Sequence, residues 1–480
     1  MAFLSFSSAA EVYVYATCVL LGISMLMPLQ AITSAPRYMV DYYKYVTRDP
    51  DAEPNSTLLW ANILTFYNVA SVVAQIIVGP TVLLPCSRHL SLTVRFILAI
   101  SLMMIEVFVV VVMPAGGVSQ TSAIVAFFIV TIGAGAGKSY LEATCYALVS
   151  AMPPKFMSAV MFGCGFSGVV ASTLQCIIKA SMPDTYESAL IQSYIYFSLA
   201  LAIMGIALCM ALCLRYNSFA QRHVGEFRNL ASAATLGEGT METEPVADGN
   251  GVFEGDVVLD DQAARAEGAG GKKASGEIEE EEEEVRELRA EVEEVGESRG
   301  HFTDQHLTTS QQLQRTRVKP VFKLIYPMQI ACFCIFFVSL FIFPSLIIPI
   351  DRTDKWFATL AILIYNCGDA TGRLSSSIKK IWPSRRVLLI VSLCRFIFFP
   401  LIFLCIYKYI PGHTPAYIIL GSLGLTKGFF GATSMVFGPN TPGLQTEGQR
   451  VMAGQLMGIS LLAGASVSAL LALLVVLFLP

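Results

Sequence analysis

Apolar runs long enough to cross a membrane dominate this sequence. A transmembrane helix needs about 20 mostly apolar residues, and the runs of that length are bounded by charged or turn residues. Eleven such runs lie near residues 12–35, 58–84, 93–113, 122–148, 158–178, 188–214, 325–349, 356–376, 387–407, 416–437 and 452–479. The pattern predicts an all-α polytopic membrane protein with eleven transmembrane helices, which we number as spans 1 to 11.

One long segment between spans 6 and 7 has a different composition. Residues 218–318 are rich in Gly, Ala, Ser, Glu and Gln, and residues 277–294 contain eleven Glu. Such a composition cannot bury a hydrophobic core. We therefore expect a disordered acidic cytoplasmic loop, which acts as a tether more readily than as a regulatory tail. It separates an N-terminal half, residues 1–217 with spans 1–6, from a C-terminal half, residues 319–480 with spans 7–11.

The overall composition excludes a soluble enzyme. Hydrophobic residues make up 54% of the 480 residues, charged residues only 14%, and the mean hydropathy is +0.61, whereas soluble domains are about a quarter charged. The lipid bilayer is therefore an expected partner. The formal net charge is −4 and no basic face is present, so we expect no nucleic-acid partner.

Lys and Arg near the spans predict the orientation. If the N-terminus is cytoplasmic, these residues are more numerous in the cytoplasmic loops than in the opposite ones, as membrane proteins prefer. The odd number of spans then places the C-terminus outside. Asn55-Ser56-Thr57 is a glycosylation sequon in the first loop, and the same topology places Asn55 outside.

Two glycine-containing segments resemble phosphate-binding loops but lack their context. Residues 163–168 fit G-x-G-x-x-G, and residues 137–139 resemble the end of a Walker A loop, yet both lie inside apolar runs. In a membrane, small residues instead let helices approach closely. The sequence therefore predicts tight packing of spans 4 and 5, through Gly133, Gly137, Gly163 and Gly168.

The sequence also predicts no metal and no cofactor. No histidine is paired at metal-ligand spacing on a span, because all five lie in loops, at His89, His223, His301, His306 and His413. A membrane enzyme would need a catalytic constellation of this kind.

Ionisable residues inside the spans are the candidate functional groups, because a charge at membrane depth costs several kcal/mol. They are Lys138 and Glu142 in span 4, Asp369 and Arg373 in span 8, and Lys427 in span 10. Each of the first two pairs is four residues apart and shares one helix face. The alternative interpretation is that both pairs are structural and hold the helices in register. Three other charges, Arg95, Glu106 and Arg395, are assigned to interfacial or helix-to-helix contacts.

A weak internal repeat relates the two halves. Residues 135–144 read GAGKSYLEAT and residues 424–433 read GLTKGFFGAT, and they occupy the fourth span of each half. A parallel repeat of this kind places the substrate site near the midplane between the halves, as in major-facilitator-type carriers. We therefore expect Lys138, Glu142 and Lys427 to meet there.

Residues 365–373 read YNCGDATGR, which resembles the N-x-x-D-x-x-G-R signature in span 8 of equilibrative nucleoside transporters. The layout of eleven spans with a large loop after the sixth is also similar to that family. Span 1 resembles the protozoan branch, through MLMPL at residues 25–29 and APRY at residues 35–38. Further matches are Phe343-Pro344, Met161-Phe162-Gly163, Phe437-Gly438-Pro439, Glu447 and Ala453-Gly454.

The resemblance implies a carrier of purine nucleosides or nucleobases that works by alternating access, most plausibly in the plasma membrane. It implies substrate-site roles for Asn366, Asp369 and Arg373, where Asp and Arg address the ribose or the purine edge. Two positions depart from the family pattern. Glu142 replaces a Gln that hydrogen-bonds the base, and Leu29-Gln30 replaces Trp-Asn after Pro28.

These departures complete the set of predicted substrate-binding residues: Leu29, Gln30, Lys138, Glu142, Asn366, Asp369, Arg373 and Lys427. Glu142 is also the candidate for proton coupling, because desolvation favours a neutral carboxyl while Lys138 one turn away favours the ionised form. If desolvation dominates in one of the inward-facing and outward-facing states and Lys138 dominates in the other, Glu142 takes up and releases one proton in each transport cycle. The alternative function is a polytopic receptor that binds a ligand without moving it.

Overall fold

The structure is a computed structural model that describes residues 6–84, 90–183, 185–228, 312–313, 315–351, 354 and 356–476. Every regular element within these residues is a helix. The N-terminal half contains α1 (Ala9–Ser24), α2 (Met27–Ser34), α3 (Pro36–Val40), α4 (Tyr42–Thr47), α5 (Thr57–Ala61), α6 (Ile63–Val78), α7 (Leu92–Gly116), α8 (Gln120–Ser150), α9 (Pro154–Ser181), α10 (Tyr186–Cys213) and α11 (Ser218–His223).

The C-terminal half contains α12 (Val318–Ile342), α13 (Phe357–Ser375), α14 (Arg385–Cys394), α15 (Phe398–Ile406), α16 (His413–Phe437) and α17 (Glu447–Val476). The turns between these helices include short 3₁₀ segments, of which Arg395–Ile397 joins α14 to α15 within one span. Hydroxyl side chains cap several spans at their N-termini. Ser91 accepts a hydrogen bond from the Val94 amide at the start of α7, and Ser384 accepts one from the Val387 amide at the start of α14.

Each predicted span corresponds to a helix or a broken helix. Within the described residues, eight helices are long and apolar enough to cross a membrane, or nine if α1 and α2 form one span. The predicted spans 8 and 10 are the helices α13 and α16, which fall short of that apolar threshold. These two helices carry Asp369, Arg373 and Lys427 together with several glycines, so their low hydropathy comes from the residues that make them functional candidates.

Span 1 is broken, a feature that the hydropathy pattern does not reveal. Helices α1 and α2 meet at an angle of 43°. Pro28 lies in the first turn of α2 and has no backbone N–H to continue the hydrogen-bond ladder from α1. The break turns the segment that carries Leu29 and Gln30 away from the axis of α1.

Small residues create close helix contacts in spans 4 and 5, and the structure identifies the helices that they contact. A Cβ on Gly163 of α9 would collide with the Val19 carbonyl oxygen of α1, and a Cβ on Gly137 of α8 would lie 2.7 Å from the Ala99 oxygen of α7. Spans 4 and 5 therefore pack tightly against spans 3 and 1 rather than against each other. Periodicity identifies the small face of a helix but not the helix that packs on it.

The ordered part of the N-terminal half extends beyond the predicted boundary at residue 217. Residues 218–223 form α11, and Ala220, Val224 and Phe227 are buried. The amide of Gly225 also donates to Glu447 Oε1 at 3.2 Å, which joins this segment to the start of α17. The prediction that disorder starts at residue 218 was therefore wrong for residues 218–228, because their apolar side chains pack on the bundle. Residues 229–311 lie outside the described residues.

The two halves meet along two helix contacts. Helix α9 packs on α13, and α17 packs on α8 and α6. Gly454 and Gly458 of α17 allow the second contact, since a Cβ at Gly458 would lie 2.7 Å from the ring of Tyr146 on α8. These contacts bring spans 4 and 5 of the first half against spans 11 and 8 of the second.

The α1–α9 contact predicts a difference between two glycine substitutions. Gly163→Ala should destabilise the protein by about 1–3 kcal/mol, the usual cost of overpacking. Gly133→Ala is the matched control, because its Cβ would meet only Leu102 Cδ2 at 3.9 Å, and it should be neutral. Thermal unfolding of the detergent-purified variants measures both. Equal melting temperatures for the two variants would contradict the close α1–α9 contact.

Candidate functional site

A buried ion pair lies in the C-terminal part of α13, with Arg373 in the last turn of the helix. Arg373 Nε donates to Asp369 Oδ2 at 2.9 Å, and both residues are only 4% exposed. Their spacing of four residues places them on one helix face, as the sequence predicts. Removing either partner would leave the other charge buried and uncompensated. Replacing only one of the two residues should therefore destabilise the protein.

The ion pair is held against the N-terminal half. Arg373 Nη1 donates to the Met161 carbonyl oxygen of α9 at 2.9 Å, and Asn366 Nδ2 donates to the Gly168 carbonyl oxygen at 3.2 Å. A Cβ on Gly165 would lie 2.7 Å from Arg373 Cδ. The glycines of α9 therefore have a specific role, because they let the polar face of α13 reach the backbone of the other half.

Lys427 of α16 completes a three-residue cluster around Asp369. Its Nζ lies 3.7 Å from Asp369 Oδ2 and 5.2 Å from the ring centroid of Tyr365. The close approach of α13 and α16 depends on glycine, since a Cβ on Gly372 would lie 2.7 Å from the Phe429 backbone nitrogen. Lys427 therefore pairs with Asp369 in its own half, and the meeting of Lys138, Glu142 and Lys427 at a site between the halves stays a prediction.

A second ion pair lies on α8. Lys138 Nζ is 3.8 Å from Glu142 Oε1, and the Glu142 side chain is 5% exposed compared with 17% for Lys138. The distance exceeds that of an ordinary hydrogen bond, so this pair is looser than the one on α13. Lys138 is the more accessible partner of the two.

Cys164 of α9 lies within electrostatic range of both ion pairs. The charges of Glu142, Lys138, Asp369 and Arg373 all act on its thiol, which is buried. The four charged residues therefore face one region of the bundle although they belong to different halves. That these residues form a substrate site between the halves stays a prediction.

Both carboxylates of this region have one oxygen without a hydrogen-bond donor. Asp369 Oδ2 contacts its cations, whereas the buried Oδ1 has no partner among the described residues. Glu142 Oε1 faces Lys138, and within the same described set its buried Oε2 has no partner either. An unsatisfied buried acceptor costs about 1–3 kcal/mol. A ligand that supplies two donors would remove both penalties.

The two predicted residues of span 1 lie elsewhere. Gln30 lines a narrow cavity between α2, α9 and α10, together with Met27, Val170 and Tyr196. Leu29 is half-buried, and its carbonyl oxygen accepts a hydrogen bond from Thr33. The structure thus places Leu29 and Gln30 on the bent part of span 1, where Gln30 faces α9 and α10.

Two of the charges predicted to make interfacial or helix-to-helix contacts, Arg395 and Glu106, lie in the interior. Arg395 is 2% exposed, and its Nη2 donates to Ser339 Oγ at 2.7 Å and to the Leu423 oxygen at 3.2 Å. Glu106 is 1% exposed. Both lack a partner at the i±4 position of their own helix. The i, i+4 spacing therefore does not single out Arg395 or Glu106. The rule that ionisable residues inside spans are functional by default does single them out.

The comparison with known proteins identifies the family. The sequence profile of the nucleoside transporter family matches residues 126–477. This chain belongs to the nucleoside transporter family. Nucleoside transporter 1 of Crithidia fasciculata is 36% identical over 97% of this chain and 94% of its own length. Nucleoside transporter 1.1 of Leishmania donovani is 34% identical with the same coverage of both chains.

Adenosine transporter 1 of Crithidia fasciculata, also a member of the nucleoside transporter family, is 34% identical over 97% of this chain and 94% of its own length. The family assignment made from residues 365–373 is therefore confirmed, as is the resemblance to protozoan members. The relatives are transporters and not enzymes, in agreement with the prediction that this chain is no enzyme. As a member of this family with long apolar helices, the chain is an integral membrane protein.

Solved structures show the fold that this nucleoside transporter family member adopts. The major facilitator superfamily proton:xylose symporter XylE superimposes with a TM-score of 0.59 at 12% identity, over 97% of this chain and 88% of that chain. The human organic anion transporter MFSD10 gives a TM-score of 0.51 at 13% identity, over 97% and 92% of the two chains. The prediction of a major-facilitator-like, all-α fold is confirmed.

The cluster around Asp369 predicts an order of stability. Asp369→Asn should lower the free energy of unfolding by about 3–5 kcal/mol, because it leaves Arg373 and Lys427 buried without a carboxylate. Lys427→Met should lower the free energy of unfolding much less, since the Asp369–Arg373 pair remains intact. Thermal unfolding of the purified proteins without substrate measures the difference. Equal losses in the two variants would show that the cluster does not depend on the carboxylate.

Proposed function

We propose that this protein carries purine nucleosides or nucleobases across the plasma membrane by alternating access. The observation that supports this most is the pair of buried carboxylates, one in each half, each with one oxygen lacking a donor. A nucleoside is neutral and carries hydroxyl and N–H donors on a flat apolar frame. It therefore suits a mostly apolar site with a few fixed polar groups.

Each polar group has a distinct role in this proposal. Asp369 Oδ1 accepts a hydrogen bond from a ribose hydroxyl or a purine N–H. Arg373 holds Asp369 in place and is itself fixed by the Met161 oxygen. Glu142 Oε2 accepts from the base, and Lys138 and Lys427 donate to its ring nitrogens or exocyclic oxygen. Asn366 fixes the approach of α13 to α9, while Leu29 and Gln30 border the base.

Contacts at both ends of the site support alternating access. Near one end, Lys179 Nζ of α9 donates to Thr359 Oγ1 of α13 at 2.9 Å. Near the other end, the Gly225 amide donates to Glu447 Oε1 at 3.2 Å. Both contacts join the N-terminal half to the C-terminal half. Rocking of the halves breaks one contact while the other is kept, and so opens the site to one side at a time.

The proposed topology has eleven spans, with the N-terminus in the cytoplasm and the C-terminus outside. The excess of Lys and Arg in the loops assigned to the cytoplasm supports it. Asn55 is exposed, and its Oδ1 accepts a hydrogen bond from Trp60 Nε1 at 3.1 Å. This leaves the sequon at the surface of the loop, where we propose that Asn55 is glycosylated.

Uptake by cells that lack such carriers tests this function. Cells that express the protein should accumulate labelled adenosine or inosine faster than control cells. Arg373→Lys keeps the charge but loses the planar fork that binds Asp369 and the Met161 oxygen. It should lower uptake by about a hundredfold, the loss expected when a binding group shifts by ~1 Å. Arg386→Lys, at an exposed position, is the matched control and should transport normally.

Two results would contradict this proposal in different ways. Absence of uptake by the wild-type protein at normal surface levels would refute the function. Full uptake by Arg373→Lys would leave the function intact but would remove Arg373 from the site.

We further propose that Glu142 couples transport to protons. In this structure its Oε1 faces Lys138, which favours the ionised carboxylate, while burial of the side chain favours the neutral form. Opening to the outside would let Glu142 take up a proton together with the substrate. Uptake should therefore rise as the external pH falls, and Glu142→Gln should remove this dependence and the ability to concentrate substrate. An equally steep pH dependence in Glu142→Gln would contradict the assignment.

A further inference from the structure

Glu106 is a buried carboxyl that the proposed site does not use. It lies near the middle of α7 and is 1% exposed. Among the described residues it forms no salt bridge, and its Oε1 has no hydrogen-bond partner. An ionised carboxylate in such a place costs several kcal/mol, whereas the protonated acid does not. Burial without a salt bridge therefore favours the protonated form of Glu106.

Its surroundings offer few other titratable groups. Helix α6 places Tyr67 within range of the carboxyl, and α8 places Thr131 beside it and Lys138 within electrostatic range. From the segment α2–α4, the hydroxyls of Tyr38 and Tyr42 donate to the Val110 oxygen, one turn along α7.

The charged residues of the other elements packed on α7 lie farther away. Lys44 of α4 is 3.7 Å from Asp41, and the charged residue of α10, Glu187, is exposed in its first turn. Glu226 accepts a hydrogen bond from the Leu92 amide at the start of α7, where Arg95 is also bonded, through its Nε, to the Leu90 oxygen. Lys138 is thus the cation closest to Glu106 along the bundle interior.

Helix α8 connects Glu106 to Glu142 through Lys138. Thr131, Lys138 and Glu142 are separated by seven and four residues, so they share one face of the helix. Lys138 therefore lies between a carboxyl at the level of Thr131 and the Glu142 carboxylate, 3.8 Å from its Nζ. One ammonium faces two carboxyls. Glu106, Lys138 and Glu142 together carry no net charge when Lys138 is protonated and one of the two carboxyls is protonated as well.

We infer that Glu106 is a second proton-binding residue of the transport cycle, which exchanges its proton with Glu142 through the movement of Lys138. When Lys138 pairs with Glu142, as here, Glu106 carries the proton. As Lys138 turns toward Glu106, its ammonium gives a proton to the Glu142 carboxylate that it leaves, and its amine then takes the proton of the Glu106 carboxyl. Lys138 is protonated again at the end, and the net charge of the three residues is unchanged.

The position of Glu106 gives this exchange a direction. Glu106 lies nearer than Lys138 to the end of the bundle where α7 leads into α8 at Gly117–Ser119, which the proposed topology places outside. A proton that enters from outside would therefore reach Glu106 before Glu142. This inference rests on the proposed function, and in particular on nucleoside transport coupled to protons.

Purified full-length protein in liposomes tests the inference with two readouts. Exchange of labelled adenosine at equal concentrations on both sides reports nucleoside movement, and a trapped pH indicator reports acidification driven by adenosine. Glu106→Gln should keep exchange within about threefold of wild type, a change below 1 kcal/mol, but should lose the acidification. Glu106→Asp, which keeps a titratable group, should retain acidification. Glu187→Gln is the control and should behave as wild type.

Each outcome decides the inference. An unchanged ratio of protons to adenosine in Glu106→Gln would overturn it. Loss of exchange as well as acidification, with a normal melting temperature, would overturn it too and make Glu106 part of the nucleoside path. Exchange without acidification in the wild-type protein would overturn proton coupling while the proposed nucleoside transport stands. Absence of exchange in the wild-type protein would refute the proposed function itself.

Discussion

The cost of burying charge inside an apolar bundle governs this structure. Asp369 and Arg373 are tolerated at 4% exposure because each neutralises the other at 2.9 Å. That pairing in turn requires helices to approach more closely than ordinary side chains allow. Glycine supplies the space at Gly165, beside Arg373, and at Gly372, beside α16. Helix packing in the centre of the molecule is therefore arranged around its charges and not only around its apolar faces.

The buried charges are distributed unequally between the halves, and this has a consequence for the ligand. Around α8 the N-terminal half places Glu106 and Glu142 near one cation, Lys138. Around α13 the C-terminal half places Arg373 and Lys427 against one carboxylate, Asp369, with Arg395 buried nearby. Both clusters have a spare acceptor, and the second cluster has more cations than carboxylates. A ligand with donors on one edge and acceptors on another complements both, which a purine nucleoside does.

The sequence predicted those features that depend on one helix at a time. The spans follow from the length of apolar runs, and the pairs Lys138–Glu142 and Asp369–Arg373 follow from their spacing on one helix face. The sequence leaves open the contacts that depend on two helices. Lys427 pairs with Asp369 because α16 lies against α13, and Gly163 contacts Val19 because α9 lies against α1. Neither neighbour can be read from hydropathy or periodicity.

Two other features depend on one or a few residues, which a hydropathy average over a long window does not reveal. The bend in span 1 comes from the position of Pro28, and the ordered segment after residue 217 comes from a few apolar residues such as Val224 and Phe227 in a polar context. Glu106 and Arg395 were visible as charges inside spans but lacked a partner on their own helix. Their environments are formed by three or more helices, so only the assembled bundle gives them a role.

The central claim is that the ion pairs of the two halves form one substrate site. An experimental structure of the full-length protein with a bound purine nucleoside tests it most directly. The account predicts that the nucleoside lies beside Cys164, with one donor on Asp369 Oδ1 and another on Glu142 Oε2. A nucleoside bound within one half, in contact with only one of these carboxylates, would contradict it.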